Sequence, residues 1–197
     1  MKYLILIFVF SINCHSQDKA YVDKVNGVEV YILSEPVREY EVLDIKGKGI
    51  QWESFLTAGL INESISVKVS KYINKLIKEY DDQDINFDAV IYNSGKKMVA
   101  IKFTDDDIDK ERIAKVEKID NIPFYVMSEP VENYEFIKNI KGGIKWKSAL
   151  TAGLINNSIE QDLNKFTKKA RKKSKKGKNI SVIYSRGKKA QLVEIKN

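Results

Sequence analysis

The chain has 197 residues, 43% hydrophobic and 10% aromatic, with a formal charge of +7. That is a globular composition, sized for one compact domain or two small ones. A single Cys and a single His exclude an intrachain disulfide framework and a His/Cys zinc site.

The N-terminus, MKYLILIFVFSINCHSQDKA, reads as a signal peptide over residues 1–16. Lys2 supplies the positive region, and Tyr3 to Ile12 form a ten-residue apolar stretch, too short to span a bilayer. Cleavage after Ser16 would remove Cys14 and His15 and leave a mature chain with neither thiol nor imidazole. The other outcome is lipidation of Cys14, which lies just past the apolar stretch, although Ser11-Ile12-Asn13 departs from the small residues usual there. The expectation is an exported protein, periplasmic or secreted, with no transmembrane helix in the mature chain.

A first unit follows over residues 21–104. Val28 to Leu33 alternates like a strand, and Glu35-Pro36 is expected to end it, since Pro cannot donate to a ladder. A second strand is predicted over Tyr40 to Ile45, closed by Gly47 and Gly49. Ile61, Ile65, Val69, Ile73, Leu76, Ile77 and Tyr80 recur at helical spacing. Asp81-Asp82-Gln83-Asp84 reads as a loop. Asp88 to Tyr92 and Met98 to Phe103 form a hairpin around Asn93-Ser94-Gly95. Residues 105–115 read as an acidic, solvated linker. Asp105, Asp107 and Asp109 alternate as in a calcium loop, but Lys110 takes the Gly position and Val116 the place of the bidentate Glu.

The second unit, residues 116–197, repeats the first. Residues 28–65 align without gaps to 122–159 at an offset of 94, and 20 of the 38 positions are identical. Ser34-Glu35-Pro36-Val37 returns as Ser128-Glu129-Pro130-Val131, Trp52 as Trp146, and the block Thr57 to Asn62, TAGLIN, as Thr151 to Asn156. The second helix carries Ile155, Ile159, Leu163, Phe166 and Ala170. Beyond it Ile91-Tyr92 matches Ile183-Tyr184 at an offset of 92. The expected fold class is α+β, with two homologous β-β-α-β-β units, each one helix packed on a small sheet. The units either sit side by side or merge about a pseudo-two-fold axis.

Tyr40-Glu41 with its following hydrophobics, the helix ending Leu76-Ile77-Lys78-Glu79-Tyr80, and then Asp88-Ala89-Val90-Ile91-Tyr92 resemble a known pattern. It is that of the small bacterial α+β domains of the YbjQ-like and RcsF-like group, some described as heavy-metal-binding. The resemblance covers both units and implies their fold. Asp44 and Lys138 stand where those domains carry Gly. Without a mature His or Cys the metal does not carry over, and neither metal nor cofactor is expected.

Nucleophilic catalysis of the Ser-His or Cys-His kind needs an imidazole that the mature chain lacks. Carboxylates remain, and Glu35 with its counterpart Glu129 are the candidates for a carboxylate-dependent hydrolase or lyase. In the TAGLIN blocks, opened by Thr57 and Thr151, Ala58 with Gly59, and Gly153 in the second copy, permit close backbone approach. Asn62 or Ser64, and Asn156, suit a helix cap, whose free N–H groups could bind an anion. Trp52 and Trp146 read as core anchors or as stacking platforms.

Charge is divided unevenly. Residues 21–110 sum to −5 and residues 111–197 to +11. Nine basic residues crowd positions 165–178: Lys165, Lys168, Lys169, Arg171, Lys172, Lys173, Lys175, Lys176 and Lys178. Such a run suits an anionic surface or partner, such as lipid headgroups, lipopolysaccharide, acidic polysaccharide or an acidic protein. Nucleic acid is disfavoured, because the one aromatic in the run, Phe166, is expected in the core. The leading expectation is therefore a non-enzymatic envelope protein that binds anions through its second unit. A module that self-associates through its unlike halves, as a homo-oligomer, is the other non-enzymatic reading.

Overall fold

The pivot of the architecture is one residue per copy. Leu33 and Met127 hold left-handed backbones, with φ of 52° and 51°, a conformation that costs a Cβ-bearing residue roughly 1–2 kcal/mol. Both amide groups of each pivot are bonded. Leu33 donates to the Tyr92 carbonyl at 2.9 Å and accepts from Glu117, while Met127 donates to Tyr184 at 3.1 Å and accepts from Asp23. At each pivot the chain leaves one sheet and enters another.

The computed structural model describes residues 18–43, 65–81, 86–92, 98–141, 159–173, 179–184 and 189–196. The first copy supplies β1 (Lys19–Val22), β2 (Lys24–Val25), β3 (Val28–Ile32), β4 (Ser34–Pro36), β5 (Tyr40–Val42), α1 (Ile65–Asp81), β6 (Ala89–Tyr92) and β7 (Val99–Phe103). A short 3-10 turn at Ile108–Lys110 leads into the second copy. That copy holds β8 (Ile113–Val116), β9 (Lys118–Ile119), β10 (Ile122–Val126), β11 (Ser128–Pro130), β12 (Tyr134–Lys141), α2 (Ile159–Lys173), β13 (Ile180–Tyr184) and β14 (Lys189–Ile195).

This overturns the expected pair of β-β-α-β-β units. Strand dominates the described residues, and neither copy has a sheet of its own. A four-stranded sheet runs β11-β1-β8-β4, and a ten-stranded sheet runs β12-β14-β13-β10-β3-β6-β7-β5, with β2 and β9 paired to β3 and β10. Equivalent residues meet at the centre of each sheet: Ala20 opposite Ala114 in the small one, Ile32 opposite Val126 in the large one. The copies are therefore related by a pseudo-two-fold axis through both sheets. They are also interlocked, because β1 pairs with β11 of the second copy, while β8 pairs with β4 of the first.

The Ser-Glu-Pro segments do not simply end a strand. Leu33 ends β3, and Ser34–Pro36 becomes an edge strand of the other sheet, where Pro is tolerated because its missing N–H faces outward. The 105–115 stretch, read as linker, carries the 3-10 turn and the start of β8.

Alternation along the central strands divides the core in two. Val28, Val30 and Ile32, with Ile122, Phe124 and Val126, pack against Val69, Tyr72, Ile73 and Leu76 of α1 and Phe166 and Ala170 of α2. The opposite face of the same strands, with Tyr31 and Tyr125, packs on Ala20, Val22, Ala114 and Val116 of the small sheet. The layers are thus helices, large sheet, small sheet. Two tight hairpins set the register: Asn26-Gly27 with φ of 53° and 84°, and Asp120-Asn121 with φ of 56° and 61°, the double left-handed geometry of a type I′ turn.

Candidate functional site

α2 separates its residues cleanly by face. Phe166, Thr167 and Ala170 are wholly buried, and the Phe166 ring lies 6.4 Å from Phe124 and 5.8 Å from Tyr184. Lys168, Lys169, Arg171 and Lys172 are exposed. Arg171 has a structural tie: it donates to the Asp120 carbonyl in the β9–β10 hairpin and lies 3.9 Å from that carboxylate. In the first copy the corresponding hairpin is tied to α1 by Asn26, which bonds Asn74 at 2.6 Å. Lys165 and Lys173 fall within α2, but their side chains lie outside the described part. So do Lys175, Lys176 and Lys178, the signal region with Cys14, and both TAGLIN blocks with Trp52, Thr57, Gly59, Asn62, Trp146, Thr151, Gly153 and Asn156.

Glu35 and Glu129 are exposed, on β4 and β11. These are the two outer strands of the small sheet, three inter-strand steps or roughly 14 Å apart. Carboxylates acting across one glycosidic bond stand about 5–9.5 Å apart. The fold does not bring this pair together.

A different constellation is assembled at the first-copy end of the sheets. An open cleft of about 280 Å³ is lined by residues that include Lys24, Gly27, Glu29, Arg38, Asp88 and Phe103. Glu29 forms its floor. It points from β3 toward the small-sheet side and is only 4% exposed. Its Oε2 accepts the Tyr31 hydroxyl at 2.5 Å, while its Oε1 lies 3.9 Å from the Lys24 ammonium. Burial, and then the Glu29 carboxylate, push the Tyr31 phenol well above its ordinary value. Lys24 is drawn outward by an ion pair with Glu111, which holds that carboxyl below the usual range.

Arg38 closes one wall. Its Nε donates to Asp105 Oδ1 at 2.9 Å, a second nitrogen reaches the Asp105 carbonyl, and its guanidinium lies 4.0 Å over the Phe103 ring. Asp105 also accepts the Glu39 amide at 2.9 Å. That backbone bond, followed by Arg38, lowers the Asp105 pKa. Asp88 Oδ2 accepts the Phe103 amide at 2.8 Å, fixing the opposite wall.

The pseudo-symmetric position in the second copy carries the inverse charge. Arg38 becomes Glu132, and Arg112, which precedes β8, becomes Asp18, which precedes β1. The ladder registers place like charges together. Continuing β4 on β8 by two residues sets Arg38 opposite Arg112, and continuing β1 on β11 sets Asp18 opposite Glu132. Around Tyr125, burial comes first, then Asp18 and Glu132, in raising the phenol. Lys118 reaches Asp18 at 2.7 Å, whereas Glu132 Oε2 is buried without a hydrogen bond among the described residues. Glu29 is replaced there by Pro123, Asp88 by Ile180 and Phe103 by Ile195.

Glu29, Tyr31 and Arg38 carry no recognisable motif in the sequence, and Asp105 stands there only in the failed calcium-loop pattern. The available signal was divergence between aligned copies, Glu29 against Pro123 and Arg38 against Glu132. Among the described residues, no helix is long and apolar enough to cross a membrane. No protein-family model, no curated protein and no solved structure matches the chain.

Proposed function

We propose that this is an exported, non-enzymatic envelope protein that binds an anionic surface or partner through the outer face of α2. The carrying observation is the facial split of that helix. Among its described side chains the buried ones are Phe166, Thr167 and Ala170, while Lys168, Lys169 and Lys172 are exposed. Those three lysines therefore lie outside the core, and the charge-apolar-polar order of residues 1–16 supports the export half of the reading. The resemblance to small envelope domains belongs to the same proposal. Each lysine near an anionic bilayer contributes about 1 kcal/mol, so several acting together give strong, salt-sensitive attachment.

The test is binding to heparin and to vesicles with and without anionic lipid, over a salt series. Replacing Lys168, Lys169, Lys172, Lys175, Lys176 and Lys178 by Gln, while keeping Arg171 for its tie to Asp120, should weaken binding at least tenfold. It should also flatten the salt dependence. Equal binding by the replaced chain at low salt would remove the proposal.

A further inference from the structure

The cleft beside Glu29 belongs to the acidic copy and plays no part in the α2 proposal. Its lining holds five carboxylates, Glu29, Asp88, Asp105, Asp106 and Glu111, against the two cations Lys24 and Arg38. Both cations are already engaged, Lys24 with Glu111 and Arg38 with Asp105. The cleft as a whole therefore presents an excess of negative charge to whatever enters it.

The floor is the decisive feature. A carboxylate as buried as Glu29 costs several kcal/mol to desolvate unless its oxygens are well matched. Tyr31 matches one oxygen at hydrogen-bond length. Toward the other, Lys24 stands at 3.9 Å, beyond hydrogen-bond reach, because Glu111 holds the ammonium outward. One lobe of a buried anion thus faces the cleft with an incomplete partner. The wall beside it is rigid: Arg38 is pinned by Asp105 and stacked on Phe103, and Asp88 is fixed by the Phe103 amide. At the mouth, Gly27 has nothing within 4 Å of where a Cβ would stand, so the entrance beside the hairpin is open.

From this we infer that the cleft binds a small organic cation bearing a primary ammonium, which docks on Glu29 Oε1 in place of a fully engaged Lys24. A volume of about 280 Å³ falls just below the usual range for drug-sized ligands and suits an amino acid or a short diamine. A bare metal ion is the poorer fit. No group of three or more His, Cys, Asp or Glu converges among the described residues, whereas an ammonium needs one strong acceptor and a diffuse negative surround. Pro123, Ile180 and Ile195 replace Glu29, Asp88 and Phe103 in the second copy, so one site per chain is expected.

The experiment is calorimetric titration of the full chain with 1,4-diaminobutane, lysine and, as a neutral control, 1,4-butanediol. Saturable binding of one equivalent of an ammonium probe, and none of the diol, is expected. Glu29→Gln should weaken it at least tenfold. Lys24→Met, which removes the competing ammonium from an exposed position, should tighten it several-fold. Opposite signs at these two residues separate a built site from general attraction to an acidic unit, for which any carboxylate would count alike. The inference fails if no ammonium probe binds at millimolar concentration, if Glu29→Gln binds like the parent, or if Lys24→Met weakens binding. Should Glu29→Gln not fold, the sign at Lys24 decides.

Discussion

The two ends of the pseudo-symmetric sandwich share a backbone and differ in what they do with charge. At the first-copy end, Arg38 and Arg112 stand just past the paired stretches of β4 and β8, Arg112 donating to the Val22 carbonyl, and the carboxylates of Glu29, Asp105 and Glu111 lie near them. At the second-copy end, Asp18 and Glu132 both act on Tyr125 with Lys118 beside Asp18, and Pro123 and Ile180 take the places of Glu29 and Asp88. The same β-scaffold thus yields a charged cleft in one copy and a more apolar end in the other. Duplication fixed where side chains point, and substitution at a few inward positions decided what they face.

The largest effect should come from separating the two ends. Residues 17–104 and 105–197, produced apart, should give no folded monomer, because each half's Ser-Glu-Pro strand and central strand lack their partners. Mixed, they should form a one-to-one complex. Homodimers of a single half would compete, since they would set Asp18 opposite Arg38, or Arg112 opposite Glu132, turning like-charged pairs into opposite ones. A monomeric half with a cooperative thermal transition would overturn the interlock.

A smaller and more pointed contrast compares Arg38→Ala with Glu132→Ala, changes at equivalent positions. The first removes the ring contact with Phe103 and the hydrogen bonds to Asp105, and should lower stability by about 1–2 kcal/mol. The second relieves a like-charged cross-strand pair, and should leave stability unchanged or raise it by roughly 0.2–1 kcal/mol. Urea midpoints at constant slope measure both. The same sign at both sites would mean that the two ends are equivalent after all.

The smallest effect is on pH. Asp105 is depressed by the Glu39 amide and by Arg38, so its contribution is complete above the ordinary aspartate value of about 3.9 and is lost as pH falls through the lower folded value. Amide protection at Glu39 and Thr104, the backbone bonds nearest this carboxylate, should drop in that acid window. The corresponding amides of the second copy should not follow, as no aspartate stands at the equivalent position.

The helix interiors were legible from spacing. Val69, Ile73, Leu76 and Tyr80 are buried as the period requires, and so are Phe166 and Ala170, although Ile77 points out at 38% exposure. The first-copy strands β3, β6 and β7 were legible from alternation and turn residues. Asn26-Gly27 is a strong hairpin signal in its own right, ahead of the strand at Val28. β1, β4, β8 and β11 were not legible, since the small sheet forms only by pairing segments distant in the chain. Nothing local announces the pivots at Leu33 and Met127 either, because their left-handed backbone is imposed by bonds to Tyr92, Glu117, Tyr184 and Asp23.

What the sequence determined by itself is the duplication and the charge imbalance between copies, which are properties of residue order alone, and the amphipathic helices, which depend on residues near one another in the chain. Which copy completes which sheet was decided only by the tertiary structure. So was the meeting of Arg38 with Asp105, 67 positions away, and of Lys24 with Glu111, whereas Glu29 and Tyr31 share a face of one strand by alternation alone. The reason is physical: local periodicity fixes which face a side chain takes, but the partner on that face comes from whichever distant strand satisfies the open hydrogen bonds of the edge beside it.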